Sequence, residues 1–257
     1  EFVSAGFVTP SYVVTYPIRL FFKLFGVCIL EARVVMVLFL FAFFALVYLL
    51  VKREMSVNLA LFSLFLLVSF APIYGNGKNV LGEIPGLVFL FTGLLSMSFI
   101  ERGTKTVGVF LLAGLSIGLC VVTKPVFLVL LPAIVLPLYF YWRTLFPHPR
   151  FFGYAIIAFC APVFVWFFVQ FSGDSLGNIF SIYANPHNTL PLDSMLANLK
   201  RFVTEMQPMY FAILLGSWAI SFAVRLWRKI RISYIETVTF LFSVFILLAY
   251  LRTVGYY

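Results

Sequence analysis

Charge is what this 257-residue chain has least of: Asp, Glu, Lys and Arg together make up 11% of it, against 63% hydrophobic residues. A water-soluble domain of this length needs far more polar surface, so that class is excluded. Acid is scarcer than base, with nine Asp and Glu against eighteen Lys and Arg. The three cysteines, Cys28, Cys120 and Cys160, form no CxxC and no paired spacing. This excludes a disulfide framework and a zinc site, and reads as buried, inert thiols. The only histidines are His148 and His187. His187 sits in YANPHNTLP without a second ligand at metal spacing, so it reads as a hydrogen-bonded or solvated imidazole. There is no P-loop, Rossmann fingerprint, HExxH or GxSxG, which sets aside soluble-type nucleotide and zinc chemistry. There is also no internal repeat, so the inverted symmetry common in secondary transporters is unsupported.

What the chain does have is long uncharged runs. Between Arg33 and Lys52 lie eighteen residues, VVMVLFLFAFFALVYLLV, without one charge. A helix rising about 1.5 Å per residue can cross most of a hydrocarbon core of about 30 Å in that length. Apolar runs against charged or turn-forming breaks predict eight spans, at 34–51, 57–74, 84–100, 107–123, 125–141, 152–171, 209–224 and 235–251. The fold class is therefore all-α and polytopic. The formal charge of +9 does not indicate nucleic acid, because the basic residues lie in short loops between spans and not on one stripe.

Alternate loops divide the charge unequally. One set carries Lys52, Arg53, Arg102, Lys105, Arg143, Arg150, Arg225, Arg228, Lys229 and Arg231 with three acids, a net +7. The other carries eight basic residues and six acids, a net +2. The positive-inside rule places the first set in the cytoplasm and both chain ends on the extracytoplasmic side. Residues 1–10, EFVSAGFVTP, lack an initiating Met and a basic leader, so the expectation is a fragment missing at least one upstream span.

The organisation expected is a single transmembrane domain: an outer-face interfacial segment at 1–32, six spans at 33–171, an extracytoplasmic loop at 172–208 and two further spans at 209–251. Residues 11–24, SYVVTYPIRLFFKL, are too short and too charged for a span. They predict an interfacial or re-entrant helix with Arg19 and Lys23 toward the headgroups and Phe21, Phe22 and Phe25 in the acyl boundary. Within the loop, DSMLANLKRFVTEM predicts a short amphipathic stretch on the membrane surface, and Asp174 and Asp193 read as loop polar residues.

Chemistry is to be sought where charge interrupts the apolar runs. YGNGKNVLGEIPG, residues 74–86, sets Glu83 at the start of a span with Pro85 two residues on, where proline is tolerated because its missing donor would be unpaired anyway. A carboxylate there faces the positive end of the helix dipole and is available to a metal, a hydroxyl or a sugar; the simpler reading is a helix cap. Lys78 on the same side suits a phosphate, or equally a lipid headgroup. In GLSIGLCVVTKP, residues 114–125, Gly114 and Gly118 predict a small-xxx-small packing face. Lys124 then falls between two apolar runs, where a lone ammonium is expensive and an anionic partner such as a phosphate would compensate it. Snorkelling to the interface is the alternative. Arg33 and Arg252 stand at outer ends of spans and either converge with Lys78 and Lys124 or only mark the interface.

Four stretches carry a resemblance: TPSYVVTYPIRLFFKLFGVCILEARVV (9–35), GKNVLGEIPGLVFLFTG (77–93), AGLSIGLCVVTKP (113–125) and LRTVGYY (251–257). Their order resembles that of the GT-C superfamily of integral-membrane glycosyltransferases, near bacterial glycosyltransferase family 39 and its protein O-mannosyltransferase and aminoarabinose transferase relatives. The resemblance implies transfer of a sugar from a polyprenyl-phosphate donor to a lipid, glycan or protein acceptor at the extracytoplasmic face of a bacterial inner membrane, in building the cell envelope. It implies an acid in the first outer loop as the principal base. Before Glu31 the only acid here is Glu1, so that acid is expected upstream, and a fragment without it is expected to be inactive alone. Glu83 would be the second acid, positioning the acceptor or a divalent cation, with Lys78, Lys124, Arg33 and Arg252 binding phosphate. No cofactor is otherwise assigned, and the partners are the lipid-linked donor, the acceptor and membrane lipids. Two other classes compete: a transporter or polymerase of lipid-linked oligosaccharides, which should carry ionisable residues in mid-span, and a non-catalytic membrane protein with ordinary anchors at its span ends.

Overall fold

The computed structural model describes residues 11–70, 82–170, 206–230 and 232–252, together with residues 73, 195, 196, 198–200 and 204. Among the described residues every regular element is helical. The helices are α1 (Tyr12–Phe25), α2 (Ile29–Glu54), α3 (Val57–Ser69), α4 (Glu83–Glu101), α5 (Val107–Thr123), a 3₁₀ turn (Pro125–Val129), α6 (Leu130–Leu145), α7 (Pro149–Gln170), α8 (Met206–Trp227) and α9 (Tyr234–Arg252). Each of the eight apolar runs holds a helix among its described residues, and the protein is all-α and polytopic. Ile29–Glu54, Glu83–Glu101, Val126–Leu145 and Pro149–Val169 are each long and apolar enough to cross a membrane unaided.

Three boundaries differ from the sequence reading. The helix expected over 57–74 ends at Ser69, where Phe70 turns extended (φ −86°, ψ 99°). The span expected from 125 opens as a 3₁₀ turn, because Lys124 is extended (φ −156°, ψ 136°) and Pro125 has no N–H to continue the preceding helix. The first span begins earlier, at Ile29, so Arg33 lies inside the helix and not at its tip.

The chain forms two compact units. The first comprises Glu1–Leu128 and Trp142–Gly173, the second Val129–Tyr141 and Asp174–Tyr257, with a boundary inside α6.

In the first unit α1 starts on a Ser11 cap whose hydroxyl accepts from Val13 N–H at 3.2 Å, and stops at Gly26, whose φ of +98° suits a residue without Cβ. Its inner face, Val14 and Ile18, packs on Ala32, Val35 and Met36 of α2 and Ile84 of α4. Phe21 and Phe22 pack against this cluster, so of the three phenylalanines expected in the acyl boundary only Phe25 is exposed. The reason is periodicity: Ile18, Phe21 and Phe22 share one helix stripe, and α2 covers it. Farther along, Phe43 and Val47 of α2 meet Val88 of α4.

Small residues let the next helices approach. Gly93 of α4 faces Ile117, where a Cβ would come within 2.9 Å of its Cγ1. Gly114 and Gly118 of α5 lie against the backbone carbonyls of Ala155 and Phe159 in α7, as the small-xxx-small spacing predicts. In lipid, such close packing replaces the hydrophobic effect as the source of association. Hydroxyls on α4 bond within their own helix, Thr92 to Val88 O at 2.8 Å and Ser96 to Thr92 O at 2.8 Å, so neither is left unpaired in an apolar setting.

The second unit is held by aromatic and polar contacts. Phe222 of α8 stacks on Phe240 of α9, with ring centroids 5.0 Å apart. Arg225 pairs with Glu236, Tyr234 donates to Ile134 O at 3.1 Å, and Tyr141 donates to Ile232 O at 2.8 Å.

Candidate active site

Charges in the first unit gather at two ends, with apolar helix between. At one end the tips of α2, α4 and α6 meet the start of α5. Arg53 donates to Ser98 Oγ at 2.9 Å and lies 3.7 Å above the Phe99 ring; Ser98 in turn donates to Glu54, which also binds Arg102 at 3.1 Å. Lys105 donates to the carbonyls of Thr144 (2.7 Å), Ile100 (2.9 Å) and Leu145 (3.4 Å), so one ammonium caps the C-terminal ends of both α4 and α6. Burial holds its pKa below the ordinary 10.5. These contacts tie helix ends together.

At the other end, Glu83 opens α4 and Lys124 closes α5. Glu83 Oε1 forms an ion pair with Lys124 Nζ. Each charge sits at the helix end whose dipole favours it, a carboxylate at an N-terminus and an ammonium at a C-terminus. The approach depends on glycine: a Cβ on Gly82 would stand 2.6 Å from Thr123 O, and one on Gly86 would overlap the Phe127 ring and lie 2.7 Å from Thr123 Oγ1. Thr123 is itself held by a 2.6 Å bond from its hydroxyl to Cys120 O.

Two properties distinguish this pair from Arg102–Glu54 at the opposite end. Its carboxylate is the more open to an incoming group, 38% exposed against 22% for Glu54. The second carboxylate oxygen, Glu83 Oε2, is buried and has no hydrogen-bond partner among the described residues. An ionised carboxylate offers about four acceptor positions, so an unfilled, shielded oxygen is a ready place for a hydroxyl or amine donor.

The other expected site residues divide. Arg33 is exposed near the start of α2, at this same end, since its neighbour Ala32 shares a core cluster with Ile84; it makes no ion pair with Glu83. Arg252 is the last residue of α9 in the second unit, and its side chain lies outside the described residues, as do Lys78, Asp174, His187 and Asp193. Of the amphipathic stretch expected at 193–206, residues 195, 196, 198–200, 204 and 206 are described, and all are helical.

Sequence reasoning passed over Glu31. It lies in the first turn of α2 beside Ala32, and its Oε2 is buried without a partner, like that of Glu83. The signal was the same, an acid opening an apolar helix. Tyr12 was also passed over: its hydroxyl donates to Pro162 O of α7 at 3.1 Å, and burial raises its pKa above the ordinary 10.0. No group of three or more metal-ligating side chains occurs among the described residues.

The described residues thus form an all-helical membrane fold with an ion-paired acid and base where two helix ends meet. The chain is similar over 93% of its length to the crystal structure of ArnT from Cupriavidus metallidurans bound to undecaprenyl phosphate, with a TM-score of 0.59 and 17% identity. It spans about half (49%) of that protein. No curated protein matches it in sequence. Residues 9–166, more than half of the chain, match the family described as dolichyl-phosphate-mannose-protein mannosyltransferase, and the chain belongs to that family, within the GT-C superfamily of membrane glycosyltransferases.

Proposed function

We propose that this chain forms the membrane core of an enzyme that moves a sugar from a polyprenyl-phosphate donor to a lipid, glycan or protein acceptor on the extracytoplasmic face of a bacterial inner membrane. The observation that carries the reading is the divided carboxylate of Glu83, with one oxygen on Lys124 and the other buried and unpartnered. The family's name and the undecaprenyl phosphate bound by ArnT support the donor class. The excess of basic residues in the other set of alternate loops supports the sidedness.

In this reading the acceptor's hydroxyl or amine donates to Glu83 Oε2 and is held for attack on the anomeric carbon. The bond from that carbon to the acceptor forms as the bond to the phosphate oxygen breaks, and the electron pair leaves on the polyprenyl phosphate. The acceptor's proton passes to a carboxylate base. Lys124 turns from Glu83 to the departing phosphate, joined by Arg33 and Lys78. A half-exposed ion pair is worth only about 0.2–1 kcal/mol, so exchanging one anion for another is cheap.

Transfer from a radiolabelled polyprenyl-phosphate sugar by the full-length protein tests the reading. Lys124→Ala and Glu83→Gln should each abolish most transfer while the protein stays folded; normal transfer in both would overturn the site. With the exposed native Cys28 and Cys160 first replaced by serine, cysteines placed at positions 78 and 52 test the sidedness, because only the first should react with an impermeant thiol reagent added from outside.

A further inference from the structure

The outer face of α1 carries a feature the proposed transfer does not use. Tyr16, Pro17, Arg19, Leu20 and Lys23 line a groove of about 570 Å³. Arg19 and Lys23 are four residues apart, hence on one side of the helix, and both are exposed. The helix contains no acid, and neither cation has an ion-pair partner among the described residues. The opposite stripe, Val14 and Ile18, is committed to the core, so the groove cannot be the face that docks α1 onto its own unit.

The surroundings are those of a lipid. Leu20, Leu24 and Phe25 of α1 and Val27 and Ile29 just beyond it are all exposed, so acyl chains have apolar surface beside the two cations. Tyr16 brings a phenol of the kind that sits at headgroup depth. A soluble anion would have no use for the apolar surface, and a neutral lipid none for the paired charges.

We propose that this groove binds the phosphodiester headgroup of an anionic bilayer phospholipid, Arg19 and Lys23 contacting the phosphate and the exposed leucines and phenylalanine receiving the chains. Such a lipid fastens α1 to the membrane surface, and through Val14 and Ile18 it steadies the starts of α2 and α4 where Glu31 and Glu83 stand. The site depends on membrane integration and not on the transfer reaction, so it survives even if the transferase reading fails.

The experiment is native mass spectrometry of the protein released from nanodiscs made of phosphatidylcholine and phosphatidylglycerol in equal parts. The wild type should retain phosphatidylglycerol selectively. Two basic residues at about 1 kcal/mol each convert to a loss of roughly 25-fold in the Arg19→Gln/Lys23→Gln variant. Tyr16→Ala, which leaves the charges in place, should also weaken retention because it removes a wall. Arg228→Gln/Lys229→Gln, an exposed basic pair elsewhere, should retain the lipid as the wild type does. Undiminished retention in the Arg19→Gln/Lys23→Gln variant, or equal loss in both charge variants, would overturn the site. Displacement of phosphatidylglycerol by an equimolar amount of undecaprenyl phosphate would overturn the assignment to a bilayer lipid.

Discussion

Glu83 and Lys124 lie forty-one positions apart in the sequence and share an ion pair where the start of α4 meets the end of α5. Neither charge is deeply buried, and the carboxylate keeps one oxygen unpartnered. A pair kept only for stability gains little from that arrangement. A site that must release its cation to a phosphate and offer its free oxygen to an acceptor gains from both features.

The first prediction separates these roles. Lys124→Ala and Glu83→Gln should each lower transfer by about 10²-fold or more, and the double variant should be little worse than either alone, because groups acting as a unit are not additive. The exchanged pair Glu83→Lys/Lys124→Glu restores the pairing, though against both helix dipoles, and should not recover transfer. Recovery of activity by the exchange would mean that only the pairing matters.

Placement of that pair depends on Gly82, which has no side chain to hold Thr123 O away. Gly82→Ala should lower kcat severalfold without removing a single charge. An unchanged rate would show that the end of α5 yields without disturbing Lys124.

Two helix glycines of opposite surroundings test the packing. Gly114→Val sets side-chain atoms against Ala155 O and should destabilise by about 1–3 kcal/mol or more, seen as a lower Tm in detergent. Gly153 of α7 has nothing within 4 Å of where its Cβ would stand, so Gly153→Ala should be neutral or stabilise by up to about 1 kcal/mol through helix propensity.

At the opposite end Ser98 is fully buried and links Arg53 to Glu54. Ser98→Ala leaves both charged groups short of a partner and should cost about 1–3 kcal/mol, measured by denaturation in mixed micelles. Ser98→Thr, which keeps the hydroxyl, should cost less.

Lys105 makes stability depend on alkaline pH. Its folded pKa is lowered below the ordinary 10.5 by burial, so between the lowered value and 10.5 the unfolded chain holds the proton that the folded chain has lost. Stability from this group therefore rises with pH across that window and is least below it, where the folded state carries a buried charge. The wild type should show a more positive slope of Tm against pH just below 10.5 than Lys105→Met; equal slopes would refute the assignment.

Much of this was legible along the chain because in lipid each helix satisfies its own backbone, leaving hydropathy to mark the elements. Every apolar run became a helix, and Gly114 and Gly118 packed as their spacing implied. Glu83 was readable as an acid at a helix start, and Lys124 as a cation wanting an anion. Their partnership was not readable, because it depends on α4 and α5 running antiparallel with Gly82 at the crossing. Phe21 and Phe22 were misread for a related reason, since an apolar residue on an interfacial helix suits lipid and protein equally. Only the path of α2 beside α1 decides between them.

The sequence by itself determined that this protein lies in a membrane as apolar helices with its charge confined to their ends, because desolvating a charge in hydrocarbon is too costly to allow otherwise. Tertiary structure alone decided which charges meet and which remain open. Glu54 is shared between Ser98 and Arg102, Lys105 is spent on three carbonyls, and Glu83 is left with one oxygen on Lys124 and one unfilled. Those differences arise from packing distances of a few ångströms between helices remote in sequence, which no local pattern encodes.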